Sequence, residues 1–445
     1  MRRPPSALFL ALVLARPAAA QTTRDTVLAN GLQVFVAENH RLPEATVVVA
    51  VRTGAFTQEA GQDGVAHMFE HLLFRAYPKG ETAFNRETSF IDAGYNGETT
   101  GDYVDYFLEA PANHASDAVK ILARLVRNGR FSESDLKAER PIVLDELARG
   151  ASDPQSLLER RVSERLWGPI WNRVDVGGDS ASVSSLSVAT VQSQYTRYYV
   201  PNNMALIVSG DVSVRDIWKT ASDAFGDWAR SADVPTPHID YPELPQSAFL
   251  LLAAPVSDVT ILVATQGPPD APDDTDAVPV EMMTAVLGNA ASAFQSRLVG
   301  SGLFTSVRCR YLGHRHDGQI EFRGRTTVER GQKAVLTLLN ELNVLDAMTG
   351  LADEDLGYAR RSTAVTDALA AEEPSGLAEA LASWWGGPGI PAYDAFDGRL
   401  AHVRLADVAR VAGTYVAHRN RVIGIVAPRQ FLVELQGRLA GGGQP

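Results

Sequence analysis

Gly64-Val65-Ala66-His67-Met68-Phe69-Glu70-His71-Leu72-Leu73-Phe74 is the stretch on which the reading of this chain turns. It has the pattern H-x-x-E-H. On a helix, His67 and His71 stand one turn apart on a shared face, with Glu70 at its border. Val65, Met68, Phe69, Leu72 and Leu73 form an apolar stripe that docks such a helix on a core. Two imidazoles in that relation can bind one Zn²⁺, and a catalytic zinc needs a third protein ligand and one open position. A surface helix with a Glu-His pair and no metal satisfies the same five residues, so the rest of the chain has to decide.

Around this stretch the sequence alternates strand and helix patterns. Asn30-Gly31 punctuates two strand-like runs, Thr26–Ala29 and Leu32–Glu38. Residues 46–52 are a β-branched run typical of a buried strand, and two more strands are expected over 95–100 and 103–110. Short helices are predicted over 84–92 and 114–126. Ser132-Glu133-Ser134-Asp135 is a helix-start signature. The run that follows carries Glu139 and Glu146, two turns apart on one face, although Pro141 either kinks that helix or marks its first turn. A helix over 188–199 capped by Ser187 and a strand over 203–209 complete the first half.

Residues 231–245 hold Pro235, Pro237, Pro242 and Pro245 and read as a linker. Beyond it the pattern starts again. Thr260–Gly267 matches Thr46–Gly54 in type and order, and a helix follows over 280–287. Residues 408–425 align with 191–208 without a gap, Tyr415 on Tyr198 and Asn420 on Asn203. Matching Gly54 to Gly267 sets His67, Glu70 and His71 opposite Val280, Met283 and Thr284. The second half therefore keeps the helix and loses the metal groups: an unremarkable loss if the three residues only pack, and one active and one inert copy if they form a site. The expected organisation is a signal peptide over 1–20, an N-terminal domain over 21–230, the linker over 231–245 and a C-terminal domain over 246–440.

Composition narrows the class. At 445 residues the chain is too long for one ordinary core. A hydrophobic content of 45%, with 21% charged residues, is that of a soluble globular protein. A formal charge of −12 without a basic run argues against nucleic acid as a partner. Arg2 and Arg3, the apolar run over 7–15 and Ala18-Ala19-Ala20 have the order of a cleavable secretory signal, cut near Ala20. Export to the periplasm or the medium is expected, with no membrane span in the mature chain; an uncleaved membrane anchor is the alternative. Cys309 is the only cysteine, so no internal disulfide forms, and a buried or half-buried strand position suits it best. His314 and His316, flanking Arg315, read as a solvated loop, not a second metal site.

These residues resemble the M16 peptidases, the pitrilysin and insulinase family of inverted-motif zinc enzymes. Its motif is followed about 75 residues later by a glutamate ligand, within a segment of the type E-R-x-V-V-x-x-E. Glu139-Arg140-Pro141-Ile142-Val143-Leu144-Asp145-Glu146 fits that segment, and Glu146 stands 75 residues beyond His71. Gly94-Tyr95-Asn96-Gly97-Glu98-Thr99 is similar to the family's Asn-Ala-x-Thr segment. Tyr199-Val200-Pro201-Asn202-Asn203 and Gly210-Asp211 match two further landmarks.

The resemblance implies an α+β protein of two homologous domains, each an antiparallel sheet packed with helices (the LuxS/MPP-like metallohydrolase fold). It implies a zinc endopeptidase of the short, two-domain branch, with one Zn²⁺ held by His67, His71 and Glu146 and with Glu70 as general base. Glu139 matches a glutamate that supports the catalytic site without binding metal; a surface salt bridge is the alternative. Asn96 would lie by an edge strand to which a substrate peptide adds, unless it is only a turn residue beside Gly97. Two such chains would pair as a homodimer or heterodimer around a chamber for peptides. The family also brings an Arg and a Tyr from its C-terminal half to the substrate. Here Phe304 or Thr305 replaces the Tyr, and Arg297 is the candidate for the Arg. The second half is then an imperfect catalytic partner, or another subunit supplies these groups; the alternative function is a non-catalytic, partner-dependent subunit.

Overall fold

The structure is a computed structural model that describes residues 23–440. The leader expected over 1–20 lies outside the described residues. Six strands form the first sheet: β1 (Thr23–Val27), β2 (Gln33–Glu38), β3 (Glu44–Val51), β4 (Gly94–Thr99), β5 (Val104–Pro111) and β6 (Met204–Gly210), in the order β1-β2-β6-β3-β5-β4. The Asn30-Gly31 turn joins β1 to β2, with Gly31 at φ 92°, where only glycine sits without strain. The Asn30 side chain donates to Phe225 O and Trp228 O, which anchors the turn to the far end of the half.

The sheet is antiparallel except where β6 runs parallel to β2. A long helical excursion separates β5 from β6, and only such a crossover lets a strand return parallel to an earlier one. All seven residues of β6 are buried, as a central strand requires.

Helix α1 (Val65–Arg75) lies on one face of this sheet, followed by α2 (Glu81–Phe90), α3 (Ala115–Val126), α4 (Glu133–Ser152) and α5 (Pro154–Trp167). Val65, Met68, Phe69 and Leu72 of α1 join Val34, Val47, Val49, Leu122 and Tyr198 in one core. Ser132 caps α4, and its capping box with Asp135 confirms the sequence signature. Pro141 neither starts nor breaks α4, which runs through it for 20 residues. The proline costs a backbone hydrogen bond, and burial of Leu136, Glu139 and Val143 on either side holds the helix together.

The second sheet comprises β7 (Ala248–Ala253), β8 (Asp258–Gln266), β9 (Ser306–Gly313), β10 (Gly318–Thr327) and β11 (Val422–Ala427), in the order β7-β11-β8-β10-β9. Here too one pair, β7 and β11, is parallel. The order repeats that of the first sheet without β1. The Val188–Tyr198 helix has its counterpart in Leu405–Tyr415, and α1 in Ala277–Gly288. A further correspondence was not legible in the sequence. Arg140 of α4 donates to Val183 O and Leu186 O. Arg360 of the Asp353–Ala370 helix donates to Leu400 O and Val403 O in the same manner.

Each half lends a helix to the other. α5 buries Leu158, Val162, Leu166 and Trp167 against Leu262, Ala264, Val422 and Val426 of the second sheet. The Pro374–Gly386 helix buries Leu377, Leu381 and Trp385 against Phe35, Val48, Ala205 and Ile207 of the first. Trp385 Nε1 donates to Gln33 at 2.8 Å, and Trp167 Nε1 to Gln319 at 3.1 Å. Residues 231–245 carry no helix or strand. We keep them as our proposed boundary between the sequence copies, although packing crosses it twice.

The β9–β10 turn overturns one expectation. His314 and His316 do not form a solvated loop; they press against the first half. The His316 ring stacks on Phe56 at 4.7 Å, and Arg315 N donates to Asp102 Oδ2 at 2.8 Å. His314 Nδ1 donates to Asp317 Oδ1 at 2.9 Å. Local sequence could not reveal this, because Phe56 and Asp102 lie more than 200 residues away. Burial pulls the His314 imidazole down, but Asp317, with Asp102 and Asp270, outweighs it and lifts it to about 9.

Because this value lies above the ordinary 6.5, the favourable contribution is complete below pH 6.5 and is lost as pH rises through about 9. The melting-temperature difference between the native chain and His314→Gln is therefore expected to be largest below pH 6.5 and to shrink past pH 9. A difference that stays constant across that range would contradict the ion pair.

Candidate metal centre

The apolar stripe of α1 faces the core, which turns His67, Glu70 and His71 toward α4. There His67 Nε2 lies 3.6 Å, and His71 Nε2 3.4 Å, from the same oxygen, Glu146 Oε2. The two rings sit edge to face with centroids 4.9 Å apart. One ligand atom from each of the three residues falls within 4.8 Å of the others, the sole such group of three among the described residues. Two imidazole nitrogens and one carboxylate oxygen, converging from two helices, are the donor set of an open zinc site.

The surrounding groups tune this cluster. Burial, and then the neighbouring His71, lower the His67 imidazole to about 4, so it is neutral and has a lone pair to offer. For His71, burial pulls downward, but the hydrogen bond to Glu139 and the charges of Glu146 and Glu70 raise it. Its Nδ1 donates to Glu139 Oε2 at 3.3 Å, which leaves Nε2 turned toward Glu146. Glu139 is 5% exposed and also accepts from Arg75 Nε, so it is not a surface salt bridge. Burial would raise its carboxyl; the hydrogen bonds from His71 and Arg75 hold it below the usual range instead.

Glu70 is half-buried and, unlike Glu139, is lifted above the ordinary carboxyl range, burial outweighing the hydrogen bond from Thr99. Thr99 Oγ1 on β4 donates to its Oε2 at 2.7 Å. Thr99 lies within the segment that resembles the family, but no local pattern marks it as a partner of Glu70. Gly97 adjoins the same side chain, since a Cβ there would meet Glu70 Cγ at 3.0 Å and Oε1 at 3.1 Å. β4 is the outer strand of its sheet, paired on one side with β5. Asn96 lies on this strand, exposed, between Tyr95 and Gly97. By strand alternation its side chain leaves the face that Gly97 and Thr99 present to Glu70.

Arg297 and Phe304 are not brought to this cluster as free groups. The Arg297 guanidinium is held by Glu341 at 2.7 Å and by Thr349 O at 3.0 Å, and Phe304 is buried against Gly324. What the second half does present is a wall of a cavity of about 560 Å³ beside the cluster. Glu146, Ser156 and Arg160 line it from the first half, and Arg310, Leu312 and Glu321 from the second. No helix among the described residues is long and apolar enough to cross a membrane.

Two sheets packed with helices and a His-His-Glu cluster on one half define a class of two-domain metallopeptidase-like proteins. The family description "Insulinase (Peptidase family M16)" matches residues 33–169, and "Peptidase M16 inactive domain" matches residues 185–363. The chain belongs to the M16 peptidase family. An uncharacterized zinc protease of Mycobacterium tuberculosis is 30% identical over 213 residues, 48% of this chain and 49% of that protein. The mitochondrial-processing peptidase subunit beta of Rattus norvegicus is 26% identical over 220 residues, 48% of this chain and 44% of that protein. The chain thus spans about half the length of the curated relatives it matches.

Among solved structures, a protease from Helicobacter pylori superposes with a TM-score of 0.82 at 18% identity, over 92% of this chain and 100% of that one. The periplasmic protease PqqL from Escherichia coli gives 0.75 at 17% identity, over 97% of this chain and 51% of that one. These two likenesses establish the fold.

Gly97→Ala tests the fit of β4 against Glu70. The added methyl should displace the carboxylate, leaving the melting temperature near that of the native chain and, if the cluster serves a peptidase, lowering peptide turnover by roughly 10²-fold. Unchanged turnover on a fluorogenic peptide would show that Glu70 tolerates the shift.

Proposed function

We propose that this chain is a zinc-dependent endopeptidase acting on peptides or unfolded segments. The observation that carries the reading is the convergence of His67 Nε2, His71 Nε2 and Glu146 Oε2, with the Glu70 carboxylate at their side and a free strand edge beyond it. His67, His71 and Glu146 would hold one zinc ion per chain. Bound there, zinc supplies Lewis acidity, which acidifies a water and polarises a peptide carbonyl.

The chain's own residues do the rest. Glu70, raised in pKa by burial, takes a proton from water and delivers it to the leaving amine nitrogen. Thr99 fixes Oε2 of that carboxylate and leaves Oε1 as the atom that moves the proton. Glu139 supports the centre by holding His71 in the tautomer with a free Nε2. A substrate strand adds to the open edge of β4 beside Asn96, where main-chain hydrogen bonds accept many sequences.

Export belongs to the same proposal: a leader cut near Ala20 would carry the chain to the periplasm or the medium, and PqqL, described as a periplasmic protease, is consistent with it. Pairing with a second M16-type chain, as a homodimer or heterodimer, is supported by one length relation. This chain covers about half of PqqL, so two such chains would make an assembly of that size. A second reading, that turnover depends on a partner subunit, is favoured by one observation: Glu341 already occupies Arg297, the residue considered for substrate binding.

Glu70→Gln separates these readings. The variant is expected to keep its metal and to lose turnover of an unstructured, quenched peptide by about 10²–10⁴-fold. A variant as active as the native chain would remove Glu70 from the mechanism. Zinc uptake with no activity in the native chain would favour the partner-dependent reading.

A further inference from the structure

One guanidinium is built into the back wall of the proposed metal centre. Arg75 lies four residues beyond His71 on α1, on the same helix face. Its Nε donates to Glu139 Oε1, while Oε2 of that carboxylate receives His71 Nδ1. Its Nη1 lies 3.5 Å from Glu81 Oε2 at the start of α2. Glu139 is 5% exposed, so water contributes little to holding its charge or its rotamer, and a buried carboxylate without a partner is costly. Arg75 is the cation that satisfies it.

The second half of the chain supplies an internal control. The register that sets His67, Glu70 and His71 opposite Val280, Met283 and Thr284 sets Arg75 opposite Gly288. The register that pairs Arg140 with Arg360 sets Glu139 and Glu146 opposite Ala359 and Thr366. The arginine that ties helices together, Arg140, is kept in both halves with the same carbonyl partners. Arg75 disappears together with the metal groups and Glu139. Its place is with that set.

We propose that Arg75 is a positioning residue of the metal centre: it fixes Glu139 in the rotamer that engages His71 Nδ1, and so keeps His71 Nε2 aimed at Glu146. This inference rests on the reading of the cluster as a zinc site. It assigns Arg75 a function distinct from an ordinary α1–α4 ion pair, because its effect passes through Glu139 to a ligand.

The test follows zinc release from the full-length chain to a chromogenic chelator. The native protein, Arg75→Met, Arg75→Lys, Glu139→Gln and the Arg75→Met/Glu139→Gln double variant are compared, with melting temperatures of the metal-free proteins alongside. Arg75→Met is expected to release zinc roughly 10-fold faster or more, as for other groups that orient metal ligands. In the Glu139→Gln background the same change should add almost nothing, a non-additivity that a merely structural ion pair would not produce in a release rate.

Arg75→Lys keeps the charge but not the Nε donor, and it should release zinc at an intermediate rate. That variant decides the matter if Arg75→Met does not fold. Native-like release from any of the three single variants, or full additivity in the double variant, would overturn the assignment. A native chain that takes up no zinc would overturn the metal reading itself, and this inference with it.

Discussion

Six residues of α1, namely Val65, Ala66, Met68, Phe69, Leu72 and Leu73, are buried against the first sheet, and that burial turns the other face of the helix toward α4. Each fully buried large apolar side chain contributes about 1.5–3 kcal/mol, so the orientation of α1 is strongly set by the core. His67, Glu70 and His71 then meet α4 because they occupy the remaining face. α4 answers with Glu139 and Glu146, two turns apart. The proposed chemistry is thus a consequence of how one amphipathic helix docks, and it needs no flexible loop to bring its groups together.

The same burial gives neighbouring carboxylates different characters. Glu70, short of positive partners, is raised in pKa; Glu139, between His71 and Arg75, is lowered. A proton carrier and a fixed anchor can therefore be drawn from one residue type by environment alone. The exchange of α5 and the Pro374–Gly386 helix extends this rigidity to the second half, whose sheet is capped by a helix that follows α4 directly. The β9–β10 turn adds a further contact, through His316 on Phe56, just ahead of the loop that leads into α1.

Much of this was legible in the sequence. The period of α1, the cap at Ser132, the Asn30-Gly31 turn and the repeat of 191–208 at 408–425 are local signals, and each corresponds to an element of the structure. The likeness to the family rested on spacing that a helix pair converts into proximity. What escaped the reading depends on contacts between distant segments. Arg75 carried a usable signal, four residues after His71, but its partner Glu139 lies across the helix pair. Thr99 and Gly97 touch Glu70 only because β4 is the outer strand of its sheet. The β9–β10 turn looked solvated because nothing near His314 announces Asp102. The parallel pairing of β6 with β2 follows from topology, which strand patterns do not encode.

The proposed chemistry requires that three side chains from α1 and α4 hold a metal ion. The most direct test is the metal content of the purified chain beside that of Glu146→Gln, measured by elemental analysis after exhaustive dialysis. About one zinc per native chain is expected, and little or none in the variant, since three protein ligands are the minimum for such a site. A native chain without zinc, or a variant that holds as much as the native chain, would contradict it.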